Sequence, residues 1–247
     1  MLTVWDHVLA VVIALVYPVR GVLALRGKIR TVPESELPAT RLWIYRAAMT
    51  ALWISALAVV TLWLALRRPW SQIGMVPVFG GGMIGILFGL VLVITVSLRQ
   101  MRGGVDDRQA QALKKRVAGG ERMMPHSSEE LRWFSLLSIT AGICEELIYR
   151  GFYVWYLQAV GLPLLPAAAV ACVIFGFAHL YQGLRGVAMT TIVGGFLTGV
   201  YLLSGSLYVG MIIHALMDLY AGRMLYTVYR REAELAAGLA AETGVRA

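Results

Sequence analysis

The stretch ICEELIYRG (residues 143–151) places two adjacent glutamates and an arginine between two strongly apolar segments. FSLLSITAG precedes it, and FYVWYLQAVGLPLLPAAAVACVIFGF follows it. A charged side chain at the centre of a membrane helix costs about 2.5–3.5 kcal/mol on insertion scales, and it usually faces a protein interior or a water-filled cavity. This stretch therefore predicts a polar site buried inside a bundle of membrane helices.

The composition of the whole chain supports a membrane protein. Hydrophobic residues make up 59% of the 247 residues, and the mean hydropathy is +0.71, whereas soluble domains contain about 45–50% apolar residues. The apolar residues are clustered in long runs, at roughly 4–24, 42–66, 77–98, 132–157, 164–181, 186–203 and 207–229. We therefore expect an all-α fold, a polytopic membrane bundle of about seven (six to eight) transmembrane helices.

Three local patterns add detail to this bundle. The first span is interrupted by Pro18 and Arg20, which makes it the weakest of the seven. Cys144 and Cys172 lie inside apolar runs, so we interpret them as buried thiols and not as a disulfide. Glycines four residues apart predict close helix packing; they are Gly81, Gly85, Gly89, Gly195 and Gly199.

The net charge of +8 is concentrated in the connections between spans. Residues 20–41, residues 99–132 and the tail from residue 223 hold most of the arginines and lysines, and the alternate connections hold few. The positive-inside rule then places the C-terminus in the cytoplasm and, with seven spans, the N-terminus outside. We expect contact with anionic membrane lipid. No basic stripe with interleaved aromatic residues lies outside the spans, so we expect no nucleic-acid binding.

Ionisable residues are rare inside the spans, and their spacing is informative. Glu146 and Arg150 are four residues apart, so on a helix they share a face and are able to form an ion pair. Glu145 lies about 100° further round the same helix and is therefore available for another role. Phe175 and His179 are four apart, and the same is true of His214 and Asp218; Arg46, near the start of its span, is expected to reach the interface.

Carboxylates and imidazoles on three apolar helices favour an active site over purely structural hydrogen bonds. A carboxylate and a histidine together are able to deprotonate a water molecule for attack on a carbonyl. A second histidine is able to stabilise the oxyanion that forms. Alternatively, a glutamate and two histidines are able to bind zinc, with a zinc-bound water as the nucleophile. The HExxH spacing of soluble zinc proteases is absent.

Three motifs in this half of the chain resemble those of the CAAX-processing protease and bacteriocin-processing (CPBP, Abi) family of intramembrane proteases. EELIYR resembles the family's EExxxR motif, FGFAH resembles FxxxH, and HALMD resembles the third motif, a histidine followed after three residues by Asn or Asp. The motifs occur in the family's order, and the resemblance covers about residues 130–222. It divides the chain into N-terminal spans with a polar loop (1–130), an intramembrane protease core (131–222) and a cytoplasmic tail (223–247).

The resemblance implies a membrane endopeptidase and assigns roles to its residues. Glu145 and His179 would activate water, and His214 with Asp218 would line the oxyanion site. Supporting roles fall to the remaining motif residues, Glu146, Arg150 and Phe175. We expect a glutamate-activated water without a bound metal; in the zinc-dependent alternative the ligands would be Glu145, His179 and His214.

One departure from the family pattern concerns the substrate. The CAAX-processing branch typically has Asn where this chain has Asp218, and an ionised Asp does not donate a hydrogen bond to an oxyanion. Asp218 is then better suited to orient His214. The substrate is either CAAX-type or, in a bacterial cytoplasmic membrane, a leader peptide or membrane-embedded protein. The competing interpretations are a non-proteolytic immunity or scaffold protein and a transporter with a proton relay.

Overall fold

A computed structural model describes residues 2–23, 29, 31–77 and 121–243, with isolated positions between 85 and 114. This part of the chain is helical and contains no strand. A π-helical segment, Glu146–Tyr153, joins the third helix to the fourth without a break. The seven helices are α1 (Val4–Gly21), α2 (Leu37–Ala65), α3 (Ser128–Glu145), α4 (Val154–Ala159), α5 (Leu164–Ala178), α6 (Leu184–Ser204) and α7 (Leu207–Thr243).

Three of the described helical segments are long and apolar enough to cross a membrane: Val4–Gly21, Glu34–Ala65 and Leu184–Ser204. Helix α5 is apolar but shorter. These segments confirm the all-α membrane helix bundle. The predicted third span (77–98) and the polar loop after it lie largely outside the described residues, as does Gly81.

Several predicted boundaries differ from the structure. The first span continues through Pro18, because a π-helical turn at Val12–Val16 precedes it and changes the backbone hydrogen bonding there. Helix α5 ends at Ala178, so His179 lies in a turn instead of inside a span. Helix α7 runs unbroken from Leu207 through residue 223 to Thr243, and the division between core and tail stays a prediction.

The predicted glycine packing was also misplaced. A methyl group added at Gly85, Gly89, Gly195 or Gly199 would meet no atom of the described chain within 4 Å. Close packing instead occurs at Gly142, where an added Cβ would lie 2.8 Å from the carbonyl oxygen of Met211. This small residue lets α3 approach α7, and the two helices form the most extensive contact between any two of the described helices.

The start of α3 is fixed by a buried ion pair. Ser127 caps the helix and accepts a hydrogen bond from the amide of Glu130, while the Glu130 carboxylate accepts from the amides of Ser127 and His126. The same carboxylate accepts a hydrogen bond from Arg41 of α2 at 2.8 Å, and both side chains are buried. These contacts set how α3 enters the bundle.

Helix α1 is tied to the rest of the bundle by polar contacts. Its buried Asp6 forms two 2.7 Å hydrogen bonds with Arg68, whose guanidinium also stacks on Trp155 of α4. The hydroxyl of Tyr153 donates to the carbonyl of Ala10. Thus the N-terminal helix is docked on the segment that carries the sequence motifs. Both cysteines are free and buried, as predicted.

Candidate active site

The two glutamates of ICEELIYRG lie where α3 passes into the π-helical segment. Glu145 ends α3 and Glu146 begins the π-helix. The side chain of Glu146 is fully buried, whereas that of Glu145 is 13% exposed. The two carboxylates therefore occupy different environments, as their spacing predicted. No pattern in the sequence predicted the π-helix, a conformation that often occurs at functional sites.

Glu146 is the anchor of a buried hydrogen-bond network. Its Oε1 accepts from Arg150 Nη1 at 3.0 Å and from His214 Nδ1 at 2.9 Å. Arg150 also donates to the carbonyl of Gly194 at 3.0 Å and to Oγ1 of Thr198 at 3.3 Å. The expected Glu–Arg pair is present, and it connects the π-helix to α6 and α7.

His214 stands among three carboxylates. With Nδ1 directed to Glu146, its Nε2 faces Oε2 of Glu145 and Oδ2 of Asp218, each at 3.7 Å. The imidazole is 5% exposed, and the Asp218 side chain is 42% exposed. On one side of its ring, His214 is hydrogen-bonded to Glu146. On the other side it faces Glu145 and Asp218, whose side chains are more exposed than that of Glu146.

The carboxylate of Glu145 is not fixed by a hydrogen bond from any of the described residues. Its contact with His214 is longer than a hydrogen bond, and no other described residue donates to it within 3.5 Å. A partly exposed carboxylate without a fixed donor is suited to accept a proton from a bound water molecule.

His179 lies in the turn that follows α5. Its Nδ1 is 3.0 Å from the carbonyl oxygen of Phe175. Because a carbonyl oxygen only accepts, Nδ1 carries the proton in this contact and Nε2 of the neutral ring has the free lone pair. His179 and His214 both pack against the ring of Phe175. Since Glu145 and Asp218 each lie 3.7 Å from His214, the predicted residues share one neighbourhood.

The ring of Phe175 fills the space between the motifs. Its centroid lies 5.0 Å from that of His179 and 6.3 Å from that of His214, both edge-on. The guanidinium of Arg150 stacks over the same ring at 4.4 Å. Phe175 thus packs against both histidines and the arginine, which gives this motif residue a positioning role in the geometry.

Three residues that contribute to the site were not predicted from the sequence. Gly194 and Thr198 of α6 accept hydrogen bonds from Arg150, and neither type of residue stands out in an apolar helix. Gly210 had a weak signal, since it precedes His214 by four residues. A Cβ at this position would lie 2.9 Å from Oε2 of Glu146, so only glycine leaves room for the carboxylate in its observed place.

The described residues do not assemble the zinc-ligand set of the alternative mechanism. No three His, Cys, Asp or Glu side chains among them are grouped closely enough to hold a metal ion. Nδ1 of His214 is engaged by Glu146, and Nδ1 of His179 by the backbone, so Nε2 is the nitrogen of each ring that is available for chemistry.

Comparison with known proteins identifies the segment that carries this site. Residues 127–220 match the family described as type II CAAX prenyl endopeptidase Rce1-like, and the match spans all three motifs. It confirms the resemblance noted from the motifs and supports a CAAX-type intramembrane endopeptidase in general. No curated protein and no solved structure matches the chain. Together with the apolar helices, the match indicates an integral membrane protein that acts on a peptide.

Proposed function

We propose that this protein hydrolyses peptide bonds of a membrane-associated substrate with a water molecule activated by Glu145 and His179. The observation that carries the proposal is the placement of His214 between the buried Glu146 and the accessible Glu145. One imidazole is held rigidly beside a carboxylate that has no fixed donor. This is the arrangement expected of a general base next to an oxyanion-stabilising group.

In this mechanism Glu145 removes a proton from water as the water oxygen bonds to the peptide carbonyl carbon. Nε2 of His179 orients the water through its lone pair. The resulting oxyanion is stabilised by Nε2–H of protonated His214. The carbon–nitrogen bond then breaks, and the proton held by Glu145 passes to the leaving amine, so that Glu145 is regenerated.

The remaining motif residues act on His214 and not on the substrate. Glu146 fixes the orientation of the ring through Nδ1, and Arg150 neutralises the charge of Glu146 within the bundle. The carboxylate of Asp218 faces Nε2 and stabilises its positive charge. With Asp in this place, a leader peptide or a membrane-embedded protein fits the site at least as well as a CAAX substrate.

The test is cleavage of a library of peptides and membrane proteins by the purified protein in detergent. Wild type is compared with Glu145→Gln and His179→Ala, each with and without a strong chelator. Glu129→Gln is the matched control, since Glu129 is an exposed acid on the same helix. We expect the control and the chelated wild type to remain active and both site variants to lose at least about 100-fold in kcat.

Other outcomes favour the alternatives. Loss of activity with chelator and its recovery with zinc would make Glu145, His179 and His214 candidate ligands of a zinc-dependent protease. If neither the wild type nor any variant cleaves a member of the library, the result would favour a non-proteolytic immunity or scaffold protein.

We also propose that the protein resides in a bacterial cytoplasmic membrane with its C-terminus in the cytoplasm. The basic residues of the chain, which dominate residues 20–41, 99–132 and the tail, support this orientation. A reporter that is active only in the cytoplasm, fused after α7, tests this orientation and should be active. If instead a reporter that is active only on the outer side of the membrane works at this position, the C-terminus lies outside and the proposed orientation is wrong.

A further inference from the structure

The hydroxyl of Thr198 on α6 is hydrogen-bonded differently from other threonines of the bundle. Three threonines in the described helices donate to the carbonyl four residues earlier in their own helix, and they are Thr50, Thr191 and Thr227. At Thr198 that carbonyl belongs to Gly194, and it accepts a hydrogen bond from Arg150 instead. Among the described residues, Oγ1 of Thr198 bonds only with Arg150 and Cys172, so it is directed away from its own helix.

The two partners of this hydroxyl lie on two other segments of the bundle. Nε of Arg150, in the π-helical segment, donates to Oγ1 at 3.3 Å. Sγ of Cys172, on α5, lies 3.1 Å from the same oxygen. All three side chains are buried. One hydroxyl therefore joins the π-helix, α5 and α6 within the apolar part of the protein.

The chemistry of the three groups decides where the hydroxyl hydrogen lies. A guanidinium has donors only, so a lone pair of Oγ1 faces Nε of Arg150. The hydrogen of Thr198 then has one described acceptor within reach, the sulfur of Cys172, and a thiol sulfur accepts weakly. If the thiol donated instead, the hydroxyl hydrogen would be buried without a described acceptor, which is costly. The contacts thus favour donation from Thr198 to Cys172.

Helix α6 also leaves space for the arginine. A Cβ at Gly194 would lie 3.3 Å from Nη2 of Arg150, so the glycine lets the guanidinium reach the backbone of α6. Thr198, one helical turn later, meets the Nε edge of the same group. The third edge, at Nη1, holds Oε1 of Glu146, and this oxygen also accepts from His214. The position of the guanidinium therefore affects the orientation of the catalytic imidazole.

We propose that Thr198 and Cys172 are positioning residues for Arg150. The sulfur of Cys172 accepts the hydroxyl hydrogen, which keeps a lone pair of Thr198 on Nε and fixes the plane of the guanidinium. The guanidinium in turn holds Glu146, and Glu146 holds His214 with Nε2 toward the substrate. The inference rests on the proposed peptidase function, and it gives Cys172 a role beyond that of a buried apolar side chain.

The first test compares Thr198→Val, Thr198→Ser and Thr191→Val in the purified full-length protein. Valine keeps the shape of threonine without the hydroxyl, and serine keeps the hydroxyl. Thr191→Val is the matched control, since the Thr191 hydroxyl donates to the carbonyl of Val187 on the same helix. For Thr198→Val we expect kcat to fall about 10- to 100-fold, the effect of one hydrogen bond to a charged group, with little change in KM. Thr198→Ser and Thr191→Val should keep kcat within about threefold of wild type.

The second test concerns the thiol. Cys172→Ala removes the acceptor, so the hydroxyl of Thr198 should turn to the carbonyl of Gly194 and compete there with Arg150. We expect kcat to fall about 5-fold, in the range of one neutral hydrogen bond. Cys172→Ser supplies an oxygen acceptor in place of sulfur and should remain near wild type. This pair of variants also decides the question if Thr198→Val does not fold, because it leaves both side chains, Thr198 and Arg150, in place.

The outcomes separate this inference from the proposed function. If wild type cleaves and Glu145→Gln does not, but Thr198→Val is as active as Thr198→Ser, the function stands and the role of Thr198 is overturned. A lower Tm with unchanged kcat of the folded Thr198→Val protein would also overturn it, because the bond would then serve the fold alone. Equal kcat of wild type and Cys172→Ala would overturn the role of the thiol. Absence of cleavage by wild type would overturn the function and this inference together.

Discussion

Nδ1 of His214 lies 2.9 Å from Oε1 of Glu146. Since a carboxylate oxygen accepts hydrogen bonds, this contact places a proton on Nδ1 and turns Nε2 toward the opposite side of the ring. On that side, Glu145 and Asp218 approach Nε2 to 3.7 Å each. The buried glutamate therefore decides which face of the histidine is presented to the accessible acids.

Replacement of Glu146 by Gln should destabilise the protein. The carboxylate is the shared acceptor of Arg150 and His214, and the change leaves the buried guanidinium without its counter-ion. Loss of one member of a buried ion pair costs about 3–5 kcal/mol. Thermal unfolding in detergent measures the effect. Glu145→Gln is the neighbouring control, and it should unfold near the wild-type temperature while abolishing cleavage; equal Tm losses in both variants would contradict the division between the two glutamates.

Substitution of Gly210 by Ala should reduce activity. The added methyl group would lie 2.9 Å from Oε2 of Glu146, and displacement of this carboxylate rotates His214. Misplacement of catalytic groups by about 1 Å lowers rates by roughly 100-fold. The kcat of Gly210→Ala is compared with that of Gly199→Ala, whose methyl group meets no described atom within 4 Å.

The control has its own expected behaviour. Alanine in place of a glycine in a helix interior stabilises a protein by roughly 0.5–1 kcal/mol, so Gly199→Ala should be fully active and slightly more stable. A Gly210→Ala enzyme with wild-type kcat would show that the carboxylate tolerates the displacement.

Exchange of Asp218 for Asn tests what the third motif does in this chain. We have assigned the carboxylate to the stabilisation of positive charge on His214, which it faces at 3.7 Å. Loss of that charge should lower kcat about 10-fold, in line with one charge-assisted contact. Steady-state kinetics at several substrate concentrations give the result. An Asn variant as active as wild type or more active would instead assign this position to direct hydrogen bonding with the oxyanion.

Exchange of Asp6 for Asn should loosen the N-terminal helix. Asp6 is fully buried, and the Arg68 side chain that it binds is 7% exposed. The free energy of unfolding should fall by about 3–5 kcal/mol. The comparison is Glu34→Gln, since Glu34 is 88% exposed in its contact with Arg122 and such surface pairs contribute at most about 1 kcal/mol. Similar losses in both variants would argue against a structural role for the buried pair.

Much of the site was predictable because it depends on spacing within one helix. The Glu146–Arg150 pair and the shared face of His214 and Asp218 follow from residues four apart. The different environments of Glu145 and Glu146 follow from their adjacency. The bundle itself was predictable from apolar runs of sufficient length, although the end of α5 was placed too late and the glycine contacts were assigned to the wrong positions.

The sequence by itself determined that the protein is a helical membrane protein and which residues form its polar motifs, because apolar length and helical period are local properties. Only the tertiary structure decided that Glu146 binds His214 of a helix 68 residues away, and that Gly210 makes room for it. The physical reason is that the rotation and depth of one helix against another are set by the packing of all of them, which no single segment specifies.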